Sequence, residues 1–250
     1  MIPTSSASPG ATFVLVHGAF HGGWCWSRVA HLLRARGHTV LTPTQTGLGE
    51  RAHLLRPDTS IETFVEDVAG VLDCEEPNDV ILVAHSLGGI AVSGTADRVP
   101  ERIAQIVYLD ATLVLDGDSA LSGLSPKVVA AQEAAVVTHN EVACLPVPAA
   151  EMFNVTASAD VRWLNRRLTP HPARSYRDTV HLAHPLGNGL PCTYITCTQP
   201  LSRRLASSRE LAQAQPGWQL REIETGHDAM ITHPHVVAEQ LMDIALHTEP

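Results

Sequence analysis

Apolar residues along the chain gather into short runs, at 13–17, 39–43, 80–84 and 103–109, each ending in a polar or glycine-containing turn. Runs that are continuously apolar, rather than alternating, predict strands buried on both faces, as in a parallel sheet. Between them apolar positions recur at helical spacing: over 24–36, closed by Gly37 as a C-cap; over 60–72, capped near Thr59 or Ser60; and over 87–99. Strand and helix therefore alternate, which predicts βαβ crossovers and a doubly wound, mostly parallel α/β sheet.

After Asp110 the alternation stops. About eighty residues rich in Ala, Val and Pro follow, with helical stretches over 127–137 and 161–168. Alternation resumes with a strand over 193–198, a helix over about 203–213, a strand over 218–224 and a last helix from about Pro234 to 247, where proline suits the first turn. The expected organisation is a leader over 1–10, a core built from 11–112 and 190–250, and a helical cap inserted over 113–189. There is no internal repeat.

Length and composition fit one large enzyme domain: 250 residues, 44% hydrophobic and 17% charged. A formal charge of −9, with Arg166-Arg167 and Arg203-Arg204 as the dibasic pairs, speaks against a nucleic-acid partner. Residues 1–10 lack Lys and Arg and read as a short disordered leader, and no apolar run approaches the ~18 residues of a membrane span. Five cysteines (25, 74, 144, 192 and 197) form no C-x-x-C pair, so a disulfide framework is not expected and a reduced, cytoplasmic chain is. Cys25 reads as a buried, inert thiol.

The candidate chemistry starts at Ser86, where the apolar run 80–84 meets Ala84-His85-Ser86-Leu87-Gly88-Gly89. Small residues around a serine after a buried strand suit a tight strand-to-helix elbow that exposes the hydroxyl, although the first small position is Ala84 rather than Gly. A serine hydroxyl needs a base to take its proton and N–H donors for the oxyanion. His227, in Gly226-His227-Asp228 after a late strand, is the candidate base. The glycine-containing loop His17-Gly18-Ala19-Phe20-His21-Gly22-Gly23-Trp24 offers the Ala19 N–H, which together with the Leu87 N–H would form the oxyanion hole.

These segments, with Thr46-Gly47-Leu48-Gly49-Glu50-Arg51, Leu168-Thr169-Pro170-His171-Pro172 and Gly226-His227-Asp228-Ala229-Met230, resemble the α/β hydrolase superfamily. Within it they look like the branch of plant methylesterases, plant hydroxynitrile lyases and small bacterial esterases, from about residue 12 to the end. In that branch the lyases typically carry Thr at the position of Gly18 and Cys at that of Leu87, so the resemblance implies an esterase. It also implies a triad acid in a Cys-Thr-x-Asp pattern, whereas this chain reads Cys197-Thr198-Gln199-Pro200. Pro200 stands where the acid is expected.

Substitutes for that acid are few. Asp110, closing the run 103–109, is the first choice, since some lipases of the superfamily supply their acid from this place; a structural role at the strand end is the competing reading. Gln199 would fix the imidazole tautomer without charge, Asp116 and Asp118 lie near relevant elements, and Asp228 would have to fold back on its neighbour. His17, His21 and His85 show no metal-ligand spacing and read as structural hydrogen-bonding residues. Trp24 and Trp26 are expected to anchor the first helix against the cap, and Met152, Phe153 and Trp163 to shape an acyl pocket or simply pack.

The expected function is a serine hydrolase, without cofactor or metal, cleaving a carboxylic ester or lactone of a small, partly apolar metabolite through an acyl-enzyme. No membrane partner is expected, and a homodimer is among the arrangements the sequence allows. Two rivals stand beside it: a lyase or eliminase using His227 as base, motivated by the missing acid, and a ligand-binding relative with weak turnover.

Overall fold

The computed structural model describes residues 10–247; the expected leader, up to residue 9, lies outside the described residues. Six strands, β1 (Thr12–Val16), β2 (Thr39–Leu41), β3 (Val80–His85), β4 (Ile103–Leu109), β8 (Cys192–Cys197) and β9 (Gln219–Ile223), form one parallel sheet in the order β2-β1-β3-β4-β8-β9. All six residues of β3 and of β8 are buried. Both faces are covered, which is why β3 reads as an apolar run from Val80 to Ala84.

The crossovers include α1 (Ser27–Arg34), α2 (Ile61–Glu75) and α3 (Gly88–Arg98) in the first half and α7 (Ala206–Ala214) in the second, and α8 (Ala229–Thr232) and α9 (Pro234–Leu246) follow the last strand. The predicted cap at Ser60 is real: its Oγ accepts from Thr63 N–H while the Thr63 hydroxyl accepts from Ser60 N–H. Such a cap is worth about 1 kcal/mol. The apolar face of α2 buries Ile61, Phe64, Val65, Val68 and Leu72, at roughly 1.5–3 kcal/mol for each fully buried large side chain.

The segment between β4 and β8 is not purely helical, contrary to expectation. Besides α4 (Pro126–Ala134), α5 (Ser158–Asn165) and α6 (Arg174–Arg177) it holds a three-stranded antiparallel sheet of β5 (Val137–His139), β6 (Val142–Leu145) and β7 (His171–Pro172). The β5–β6 turn passes through Asn140 and Glu141, both at positive φ (47° and 65°), so the chain reverses where a helical reading had only seen apolar spacing. Arg28 of α1 joins this segment to the core through an ion pair with Asp160 at 2.6 Å and by lying over the Trp163 ring. Trp24 meets Trp163 edge to face, as expected of an anchor. Trp26 does not reach the cap: it is fully buried and its ring faces His85.

Candidate active site

Ser86, Asp110 and His227 come from three different loops at the carboxyl edge of the sheet, where open α/β sheets bind their ligands. Ser86 follows β3 directly and sits at φ 52°, a left-handed conformation that holds its side chain out of the sheet. The elbow is tight because α3 starts two residues later. A Cβ on Gly88 would lie 2.6 Å from the His17 carbonyl oxygen, and one on Gly18 would lie 2.6 Å from the Ser86 Cβ. Both positions therefore need glycine, whereas Ala84 causes no conflict inside the buried strand.

Asp110 follows β4 at φ 42°, a conformation that Asp tolerates better than most residues. Its backbone N–H donates to Ile195 O at 2.8 Å, and one carboxylate oxygen accepts from Cys197 N–H at 3.4 Å. The other oxygen lies 2.6 Å from His227 Nδ1. On the far side of that ring, Nε2 lies 3.0 Å from Ser86 Oγ. Thus the carboxylate accepts from Nδ1–H, and Nε2 is left to accept the serine proton.

The electrostatics follow from burial and charge. Burial works against the protonated imidazole of His227, but the Asp110 hydrogen bond and charge, with the further charge of Asp228, outweigh it and raise the His227 pKa above its ordinary value. Asp110 is 1% exposed and the His227 side chain 15%, so this pair is little screened by water.

The residues carrying the two expected oxyanion donors border the same space. Ala19 and Leu87 line one cavity with Ser86 and His227, and among the described residues neither N–H is engaged by a protein acceptor. The loop carrying Ala19 is held by histidines. His17 Nδ1–H donates to Gly18 O at 2.8 Å while its Nε2 accepts from Gln45 N–H at 3.0 Å, and burial pushes its pKa down to about 3. His21 bridges Ala19 O at 2.7 Å and Asp228 at 3.0 Å. Burial would raise the Asp228 carboxyl, yet the charge and hydrogen bond of His21 overcome it and hold the pKa below the usual carboxylate value. His85 reaches His227 O at 3.0 Å, and burial first, then His227, keeps it well below its ordinary pKa.

The other acid candidates are occupied elsewhere. Asp116 accepts from Leu182 N–H, Asp118 from Leu115 N–H, and Asp228 turns to His21 rather than to the imidazole beside it. Gln199 is exposed at the end of β8. Nitrogen and oxygen atoms of His85, His227 and Asp228 do converge within 4.8 Å, the spacing of a metal site. Both His227 nitrogens are, however, bonded to Asp110 and Ser86, so that ligand set is not open to an ion.

The cavity above the serine holds about 680 Å³, in the range of small-molecule sites. Its walls are mainly apolar, with Val128, Leu145, Met152 and Phe153 from the cap and Leu205 from the second half of the core. Of the two readings open for Trp163, packing is the one observed: it lies against Trp24 and under the Arg28 and Arg167 guanidinium groups. One residue escaped the sequence reading: Asn154, at φ 62°, accepts from His227 N–H at 3.2 Å. An Asn able to adopt a left-handed turn was visible in the sequence, but nothing there tied it to a histidine 73 residues away.

Comparison with known proteins agrees with this architecture. Residues 13–240 match the alpha/beta hydrolase family model. The chain is 42% identical over 244 residues to a carbendazim hydrolyzing esterase of Nocardioides sp. (strain SG-4G), covering 92% of this chain and 98% of that one. It is 26% identical over 250 residues to methylesterase 9 of Arabidopsis thaliana, covering 93% and 97%. Among solved structures it is similar in fold, at TM-score 0.78 and 24% identity over 93% of this chain and 98% of that one, to an extracellular alpha/beta-hydrolase from a Paenibacillus species. With the tight turn at Ser86, the parallel sheet and these matches in place, the chain belongs to the alpha/beta hydrolase family.

Proposed function

We propose that the chain is a carboxylic ester hydrolase that cleaves an ester or lactone of a small, partly apolar metabolite through an acyl-enzyme, with Ser86, His227 and Asp110 as its triad. The observation that carries this reading is the continuous relay from Asp110 through His227 to Ser86, 2.6 Å and then 3.0 Å, opening into an apolar cavity. Relatives named as esterases and methylesterases support the reaction class.

The steps follow from the geometry. Ser86 Oγ attacks the carbonyl carbon as His227 Nε2 takes its proton, and the Asp110 carboxylate holds Nδ1–H and stabilises the imidazolium. The carbonyl oxygen becomes an oxyanion facing the Ala19 and Leu87 N–H groups. His227 then returns the proton to the departing alcohol, and water, activated by the same nitrogen, releases the acid. The lyase reading was motivated by a missing acid; Asp110 on Nδ1 removes that motive.

The substrate class rests on the cavity wall and on the relatives. Small activated esters are the first substrates to try, and carbendazim, named for the Nocardioides relative, is the first specific one. Five unpaired cysteines, four of them buried, support a reducing compartment such as the cytoplasm; no helix among the described residues is long and apolar enough to cross a membrane. The deciding experiment compares wild type with Ser86→Ala on p-nitrophenyl esters and with a fluorophosphonate probe. Loss of about 10⁶ in kcat, with labelling confined to Ser86, is expected. Full activity in Ser86→Ala, or no labelling of the active protein, overturns the triad.

A further inference from the structure

The loop that carries the Ala19 N–H is held from the core side by His17 and His21, and from the cap side by a third histidine. His171, in β7 of the cap, is fully buried, and its Nδ1 accepts from the Phe20 N–H at 3.1 Å. Its Nε2–H donates to Ser175 Oγ at 2.8 Å, and the Ser175 hydroxyl donates to Pro172 O at 2.9 Å, which fixes the tautomer with Nδ1 as acceptor. Burial lowers its pKa to about 3, so that lone pair stays available at ordinary pH. Two residues upstream, Thr169 N–H donates to Phe20 O at 3.0 Å.

Phe20 needs such support. It sits at φ 68°, a left-handed conformation that an aromatic residue adopts only under constraint. The Ala19–Phe20 peptide is thus pinned at both ends, its carbonyl by His21 and its N–H by His171. The next peptide upstream carries the Ala19 N–H, the expected oxyanion donor, on a residue that lines the cavity. Releasing the Phe20 N–H lets Phe20 leave its left-handed φ, and the adjoining Ala19 peptide turns with it, which carries the Ala19 N–H away from the oxyanion.

We propose that His171 is a positioning residue of the oxyanion hole: a cap histidine that, through the Phe20 N–H, sets the direction of the Ala19 donor and makes catalysis depend on the seating of the cap. This inference rests on the esterase reading above. It differs from a packing role in what it demands, an acceptor atom at the Nδ1 place rather than a ring.

The test uses three variants of the full-length protein with p-nitrophenyl acetate, kcat being taken per folded molecule, and with phenylboronic acid as a tetrahedral transition-state analogue. His171→Leu removes the acceptor; His171→Asn puts its amide oxygen near the place of Nδ1. A fall in kcat of about 10–100-fold is expected for His171→Leu, below the 10²–10³ of a lost donor because His17 and His21 still hold the loop. KM should stay within about twofold, phenylboronic acid affinity should fall with kcat, and His171→Asn should recover most of both. If His171→Leu does not fold, Ser175→Ala, which frees Nε2–H, is read instead and should lower kcat and boronate affinity together by about 3–10-fold. Unchanged kcat, a loss confined to KM, or His171→Asn as impaired as His171→Leu overturns the proposal. The parent reading fails separately, if Ser86→Ala stays active.

Discussion

Asp110 Oδ2 stands 2.6 Å from His227 Nδ1, although 117 residues separate them and the resemblance places the acid where this chain has Pro200. The contact is possible because β4 ends beside β3, so that the turn after β4 opens at the same edge as the serine elbow. Asp110→Asn keeps the shape but removes the charge and can leave the wrong imidazole nitrogen protonated. Turnover should fall by about 10⁴, with KM little changed, in steady-state kinetics on a small ester. A loss below tenfold would show that His227 does not depend on this carboxylate.

The same pair sets a pH dependence. His227 must be neutral to accept the serine proton, and its pKa is raised, so activity should climb with pH through a limb lying above the ordinary value of 6.5. In Asp110→Asn the raising influence is gone and the limb of the residual activity should move to lower pH. Profiles of kcat/KM for both proteins check the sign, and a limb that stays put or moves upward contradicts it.

Gly18→Ala should damage catalysis more than folding. The new methyl group would lie 2.6 Å from the Ser86 Cβ and 3.1 Å from the His85 carbonyl oxygen, so either the elbow or the oxyanion loop must shift. A kcat loss on the order of 10²–10³ is expected, with a stability cost of about 1–3 kcal/mol in urea unfolding. Wild-type kcat in a folded variant would mean that the loop has slack at this point.

Asn154 reaches from the cap to the His227 backbone, and its side-chain oxygen is the acceptor. Asn154→Gly suits the φ of 62° yet removes that oxygen, so it separates backbone strain from hydrogen bonding. We expect kcat to fall roughly tenfold while thermal stability changes little, since glycine adopts this left-handed conformation without steric cost. Wild-type kcat would confine Asn154 to turn formation.

Buried imidazoles make the fold sensitive to acid, His85 among them with a pKa held well below its ordinary value by burial. His17 and His171 have pKa values pushed down to about 3 by burial, while the unfolded chain binds those protons near 6.5. Below pH 6.5 the unfolded state therefore binds more protons, and stability falls as pH falls, by about 2 kcal/mol for each group at pH 5. His227 has the opposite sign: its raised pKa gives stability that is complete below 6.5 and is lost as pH rises through the folded value. Urea midpoints at pH 7 and pH 5 should show the net loss, smaller in His171→Asn; equal midpoints in the wild type would contradict it.

The order of strands and helices in the core is written in the chain because a strand buried on both faces is mostly apolar, as β3 is from Val80 to Ala84, and because a cap such as Ser60 acts on its immediate neighbours. For the same local reason the serine elbow and the oxyanion loop could be read from short stretches. The cap could not be read that way. Its β5 to β7 sheet is made of three short strands whose pairing partners lie up to about thirty residues apart, and the helix expected over 127–137 is present as α4 but gives way at Val137 to a strand that local apolar spacing does not mark.

Sequence alone thus determined a doubly wound sheet bearing Ser86, His227 and the Ala19 loop, since each of these features depends on adjacent residues. Which carboxylate meets His227, and that Asn154 and His171 hold the site from the cap, depended on the packing of segments 73 to 151 residues apart. A hydrogen bond is fixed by distance and direction in space, and linear order carries neither until the sheet has set the strands side by side.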